Sequence, residues 1–200
     1  VFSASKVWTM GADNGRQQIE MSRARWGVAH FDLVQVHNMM DWRAHLPTLQ
    51  SMQRQEQLRY IGITTSHGRR HDAIATALRQ ERIDTVQLTY NIAERSAEDT
   101  LLPLAQDRGV AVIVNRPFAT GALFRRVAGV SLPGWAREIE CQDWAAVFLK
   151  FIISHPAVTV AIPATSQVAH LRQNMRALNG PLPDAALRRR MASDFDRVAR

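Results

Sequence analysis

Two residues able to do acid–base chemistry close consecutive apolar runs: Lys6 ends Val1-Phe2-Ser3-Ala4-Ser5-Lys6, and His37 ends Phe31-Asp32-Leu33-Val34-Gln35-Val36-His37. Such runs predict β-strands, and α/β folds place their reacting groups at the C-terminal edge of parallel strands. In the second run, the two-residue period puts Leu33, Gln35 and His37 on one face and Val34 and Val36 on the other. An ammonium and an imidazole placed this way are two titratable groups at one sheet edge, which implies an active site able to move protons. Taken alone, a strand-end histidine is more often a satisfied structural group, and a strand-end lysine is similarly ambiguous. The lysine stands out because the 25 basic residues include just two lysines, Lys6 and Lys150.

The elements that must hold this pair alternate regularly. A turn at 10–15 leads to a helix ending at Trp26, with Gly27 as its stop. Further strands are predicted over 59–64, 85–90, 110–114 and 158–162. Helices follow over 72–80, 97–107 and 144–154, and Pro47 is read as opening one that runs to Gln57. A later helix is capped by Thr165 or Ser166 and stopped by Gly180-Pro181. Its packing stripe is Val168, Leu171, Met175 and Leu178, with His170, Gln173 and Asn174 on another face. The tail, 184–200, reads as a final helix packing through Leu187, Met191, Phe195 and Val198.

This makes six βα units, open to two readings. One is a six-stranded doubly wound sheet; the other is a (β/α)₈ TIM barrel missing its first two βα units, hence strands 3–8. No Gly-x-Gly-x-x-Gly occurs anywhere in the chain, which favours the truncated α/β TIM barrel. The expected organisation is one incomplete domain over 1–200, with barrel units to residue 180 and a C-terminal helix over 181–200.

Composition narrows the function classes. The formal charge is +7, but the arginines are scattered rather than striped, so no nucleic-acid partner is expected. Cys141 is the single cysteine and no His-Glu-x-x-His occurs, so neither a disulfide nor a metal site is expected. No apolar run approaches the ~20 residues of a membrane segment. The compartment and oligomeric state are not indicated, cytoplasmic being only the default.

Five strings, Ser5-Lys6-Val7, Asp32-Leu33-Val34-Gln35-Val36-His37-Asn38, Tyr60-Ile61-Gly62-Ile63-Thr64-Thr65, Gln87-Leu88-Thr89-Tyr90-Asn91 and Ile162-Pro163-Ala164-Thr165-Ser166, resemble in order and spacing those of the aldo/keto reductases. The resemblance implies a (β/α)₈ TIM barrel of the NADP-linked oxidoreductase type that binds NADPH, or alternatively NADH, without a Rossmann fold and takes a small aldehyde or ketone as substrate. It implies that Lys6 and His37 are two members of a catalytic set completed by an aspartate and a tyrosine upstream of Val1. As negative charge grows on the carbonyl oxygen, the Lys6 cation would ease proton donation by a neighbouring acid, and a His37 ring N–H would orient the oxygen. Thr64, Thr65 and Gln87 would then meet the nicotinamide carboxamide. Asn115-Arg116-Pro117-Phe118 stands where the family has aromatic-Ser-Pro-Leu, so Asn115 cannot supply the usual stacking ring. Arg116 and backbone N–H groups from Ala119 through Gly121 to Leu123 would face the pyrophosphate. Pro163, Ala164, Thr165, His170, Gln173 and Asn174 would line the adenosine end. Ala164 replaces a frequent lysine and His170 a frequent arginine, leaving Ser166 and Arg172 as stand-ins for binding the 2′-phosphate. Trp8, Met39 and Trp42 are the expected apolar substrate wall. The alternatives are a nucleotide-binding regulatory or interaction subunit of the same fold, and a lysine Schiff-base aldolase.

Overall fold

In the computed structural model, which describes residues 1–198, each predicted apolar run forms a strand and each amphipathic segment a helix. The chain order is β1 (Ala4–Val7), α1 (Ala12–Trp26), β2 (Phe31–Val36), α2 (Trp42–Arg54), β3 (Leu58–Thr64), α3 (His71–Gln80), β4 (Thr85–Thr89), α4 (Leu101–Asp107), β5 (Ala111–Asn115), α5 (Ala122–Arg126), α6 (Trp144–Ile153), β6 (Val158–Ala161), α7 (Val168–Met175) and α8 (Ala185–Val198). The chain divides into two compact units. The first is Val1–Leu88 with Thr100–Val112; the second is Thr89–Asp99 with the chain from Ile113 onward.

In the first unit, β1, β2, β3 and β4 lie side by side in parallel, and β5 enters next through Ala111 N–H to the Asp84 carbonyl, 3.0 Å. In the second, β6 joins β5 through Ile162 N–H to the Val114 carbonyl, 3.0 Å. Strand order therefore follows chain order, without the reversal that a doubly wound sheet requires. It is the winding of a (β/α)₈ TIM barrel.

One row of the first unit sets its register: Lys6 lies opposite Gln35, Gln35 opposite Gly62, and Gly62 opposite Thr85. Gln35 Nε2 donates to Thr85 Oγ1 at 3.2 Å across the glycine between them. A Cβ at Gly62 would collide with that hydroxyl oxygen and stand 2.8 Å from the Thr85 carbonyl oxygen. Val7, Val34, Val36, Ile61 and Ile63 are fully buried around this row.

The second unit packs around Phe148, Phe151, Ile152 and Phe195. Asp143 caps α6 by accepting the Ala146 N–H at 2.8 Å. On the same helix Lys150 is fully buried. Its Nζ donates to the carbonyls of Ile139 (2.6 Å), Asn179 (2.5 Å) and Pro181 (2.9 Å), tying two irregular segments to α6.

Three expectations need correction. The second helix opens at Trp42, not near Pro47, because Trp42, His45 and Leu46 are buried and extend its packing face. Helix α7 has Gln167 as N-cap, while the Thr165 hydroxyl accepts the Gln167 N–H at 3.1 Å one step earlier. Its expected packing stripe faces outward: Val168, Leu171, Met175 and Leu178 are all at least half exposed, and the buried residues of this segment are Asn174 and Ala177. Among the described residues, no element covers the stripe. In α8, Met191 and Phe195 are buried as expected, Val198 is exposed, and Ala199 and Arg200 lie outside the described residues.

Two stability outcomes follow. Gly62→Ala is expected to destabilise the protein by about 2–4 kcal/mol through overpacking and loss of the Gln35–Thr85 bond, measured as a lower urea midpoint. Lys150→Met, which leaves three carbonyls without their donor, is expected to cost about 3 kcal/mol in the same assay.

Candidate active site

The first unit brings Lys6, Trp8 and His37 together. Because Val7 pairs with Val36, Trp8 emerges beside His37, and their rings meet edge to face at 5.2 Å. Lys6 is exposed and His37 half-buried. Burial pushes the imidazole below its ordinary pKa, and the Lys6 ammonium adds to that effect. His37 Nδ1 is buried without a hydrogen-bond partner. After His37 the chain turns through left-handed residues, Asn38 (φ 51°), Met39 (φ 56°) and Asp41 (φ 48°). This costly backbone is held from both sides: Asn38 N–H donates to Thr64 Oγ1 at 2.9 Å, and Gly11 N–H donates to the Asp41 carboxylate at 2.7 Å.

Thr64, Thr65 and Gln87 cluster at the ends of β3 and β4, all buried. Thr65 N–H donates to the Gln87 carbonyl at 2.8 Å, and its hydroxyl donates to the Arg69 carbonyl at 2.5 Å. Of the expected apolar wall, Trp8 alone presents its ring to solvent, at 59% exposure, whereas Met39 (1%) and Trp42 (6%) are core residues.

The second unit contains a cavity of about 640 Å³. Arg116, Pro117, Phe118, Gly121, Ala164, Thr165, His170, Gln173 and Asn174, all singled out in the sequence, line it together. Asn115, Leu123 and Pro163 are not among its lining residues. Leu123 is in the core, and Asn115 Oδ1 instead accepts the Thr89 hydroxyl at 2.6 Å. Arg116 is left-handed (φ 51°) and its carbonyl accepts Asn91 Nδ2 at 3.1 Å; its Nε is buried without a partner. A guanidinium with an unanswered donor, beside the backbone turn at Thr120-Gly121, fits a phosphate oxygen. Phe118 and Phe124, with ring centroids 4.9 Å apart, give the cavity an aromatic side. The cavity therefore fits the phosphate and adenosine portions of a dinucleotide.

Phe124 and Asn91 were not predicted as site residues. Phe124 carries no local signal in the sequence; for Asn91 the sequence offers only an asparagine just past a strand end, and its full burial is seen in the structure.

A model of the aldo/keto reductase family matches residues 3–192. The chain belongs to that family. It is 27% identical over 165 residues to an uncharacterized oxidoreductase of Schizosaccharomyces pombe, covering 81% of this chain and 52% of that protein. It is 24% identical to an NADH-specific methylglyoxal reductase of Escherichia coli, covering 91% of this chain and 65% of the relative. The chain thus spans between about half and two thirds of the length of these two relatives. A solved aldo-keto reductase from Bacillus halodurans, in its holo form, superposes with a TM-score of 0.77 at 23% identity, over 98% of this chain and 71% of that one. An aldo/keto reductase from Klebsiella pneumoniae, solved with NADP and acetate, gives 0.76 at 22% identity, over 100% and 70%. These two likenesses establish the fold.

The depressed pKa of His37 in this aldo/keto reductase chain has a consequence for stability. The unfolded chain, with an ordinary value of about 6.5, takes up the proton more readily than the folded one. Stability contributed by the neutral ring is therefore full above that value and lost as pH falls toward the lower folded pKa. Urea unfolding between pH 8 and 5 should show a steeper acid loss for the wild type than for His37→Asn; parallel curves would contradict it.

Proposed function

We propose that this chain supplies the carbonyl-orienting and nucleotide-binding parts of an NAD(P)H-dependent reductase of small aldehydes or ketones, with NADPH as the favoured donor. The observation that carries the reading is the pairing, in a family member, of Lys6 and His37 at adjacent strand ends, near enough for one charge to act on the other ring. The Escherichia coli relatives include two methylglyoxal reductases, which agrees with a small carbonyl substrate.

Each residue has a defined task. His37, kept neutral by burial and by Lys6, offers a ring N–H to the carbonyl oxygen without competing as the principal acid. The Lys6 ammonium, a compact point charge, stabilises the anion left when a neighbouring phenol gives up its proton. Neither tyrosine of this chain fills the phenol's place. Tyr60 lies in the row of Ala4 and Leu33, before the Lys6 row, and stacks on Phe2. The Tyr90 hydroxyl is buried against Glu98 and Arg188, and that burial raises its pKa. In this proposal, as the family resemblance implies, the phenol and its aspartate partner would come from outside these 200 residues.

When bound, the reduced nicotinamide supplies the hydride. Arg116 and the turn at Thr120-Gly121 would hold phosphate oxygens, Phe118 and Phe124 would flank an aromatic ring, and His170, Gln173 and Asn174 would meet the adenosine end. Trp8 forms an apolar wall beside the reacting carbonyl, whereas Met39 and Trp42 support it from the core.

The test uses the chain completed with the first two βα units of an aldo/keto reductase. NADPH-dependent aldehyde reduction is expected, with kcat/KM falling about 100-fold or more in Lys6→Met and His37→Ala, and with Arg116→Ala weakening NADPH binding about tenfold. Near-normal rates in both active-site variants would remove the assignment. Tight nucleotide binding without turnover would favour a regulatory subunit, and borohydride trapping of a carbonyl compound on Lys6 an aldolase.

A further inference from the structure

Trp8 occupies an unusual position. Strand pairing between β1 and β2 ends at Val7 and Val36, so the Trp8 backbone lies beyond the described ladder while its indole must stay against His37. A groove of about 420 Å³, lined by Trp8, Gln18, Met21 and Arg25 among others, leaves space beside the half-exposed ring. Packing alone therefore does not fix the indole.

A side chain answers the Trp8 backbone where strand pairing ends. Gln18, on α1, accepts the Trp8 N–H on Oε1 at 2.6 Å and donates from Nε2 to the Trp8 carbonyl at 3.4 Å. One carboxamide thus answers both backbone polar groups of a single residue. The next residues are gripped as well: the buried His45 ring bonds the Thr9 carbonyl through Nε2 at 2.7 Å, and the Asp41 carboxylate accepts the Gly11 N–H. Room for His45 exists because residue 15 is glycine; a Cβ there would come within 2.5 Å of His45 Nδ1.

We propose that Gln18 is a positioning residue of the carbonyl site: its carboxamide clamps the Trp8 backbone so that the indole stays on the His37 ring and forms the flat apolar wall met by the substrate. The proposal rests on the reading of His37 as the carbonyl-orienting group for its functional meaning. Its test needs neither cofactor nor turnover, so its failure is distinguishable from failure of that reading.

The experiment uses the 200-residue chain. An imidazolium quenches an indole in contact with it, so Trp8 emission, isolated by subtracting the Trp8→Phe spectrum, should fall in a step as His37 is protonated. In Gln18→Leu, with helical circular dichroism unchanged, the amplitude of that step is expected to fall at least twofold. Gln18→Glu keeps an acceptor for the Trp8 N–H and is expected to retain most of it, a rescue that generic damage would not produce. Should Gln18→Leu fail to fold, Gln18→Asn, too short to reach both backbone groups, is read in its place against the same outcomes. An undiminished step in the Leu or Asn variant, or an equal loss in Gln18→Glu, overturns the proposal.

Discussion

The first unit depends on a hydrogen bond that crosses an empty position. Gln35 reaches Thr85 only because Gly62, lying between them in the register, has no side chain to block the path. Parallel strands buried on both faces have little hydrophobic alternation to distinguish one register from another, so a polar contact with a single geometry carries unusual weight. A slip of one residue would turn Val34 and Val36 toward the position of Gln35. The same register places Val7 against Val36, which brings Trp8 to His37. The arrangement of side chains at the strand ends is thus fixed by a row of residues in the middle of the strands.

Beyond the strands, order comes from single side chains gripping backbone. Thr64 holds Asn38, Asp41 holds Gly11, His45 holds Thr9, and in the second unit Asn91 holds Arg116. Several residues so held, or doing the holding, have positive φ without being glycine: Asn38, Asp41 and Arg116. Such conformations cost on the order of 1 kcal/mol or more each and persist where surrounding bonds over-determine them. Their concentration just after β2 and β5 is where this fold needs irregular backbone, since regular structure cannot turn a chain and aim a side chain at once.

What the sequence reveals follows from which forces act locally. Strands 31–36 and 111–115 are legible because an apolar run between turn residues has few other uses, and Lys6 and His37 are legible because they end such runs. The start of α2 is not legible: Pro47 suits a first turn, but burial of Trp42 and His45, decided by neighbours far along the chain, outweighs it. Helix α7 shows the same limit in another form. Its periodicity correctly separates two faces, yet only tertiary contacts decide which face turns inward, and Asn174 is buried where Leu171 is not. Residue type and proximity point Met39 and Trp42 toward a substrate wall, but type does not separate a core side chain from a binding one. Phe124 entered the cavity by loop geometry alone.

The two lysines show how partners separate structure from chemistry. Lys150 is buried, and its ammonium has three carbonyl acceptors, the number of protons it can donate; every bond it can make is already made. Lys6 is exposed, and its charge acts on His37. The arginines divide similarly. Arg188 is occupied by Glu98, the Tyr90 hydroxyl and the Phe151 carbonyl, closing a network that binds α8 to its unit. Arg116 instead keeps a buried Nε without a partner on the wall of a cavity. A buried donor left unanswered costs about 1–3 kcal/mol, and an acceptor arriving from outside the chain would relieve that cost. Arg188 is thus a fastening, whereas the unanswered donor supports the anion-binding role proposed for Arg116.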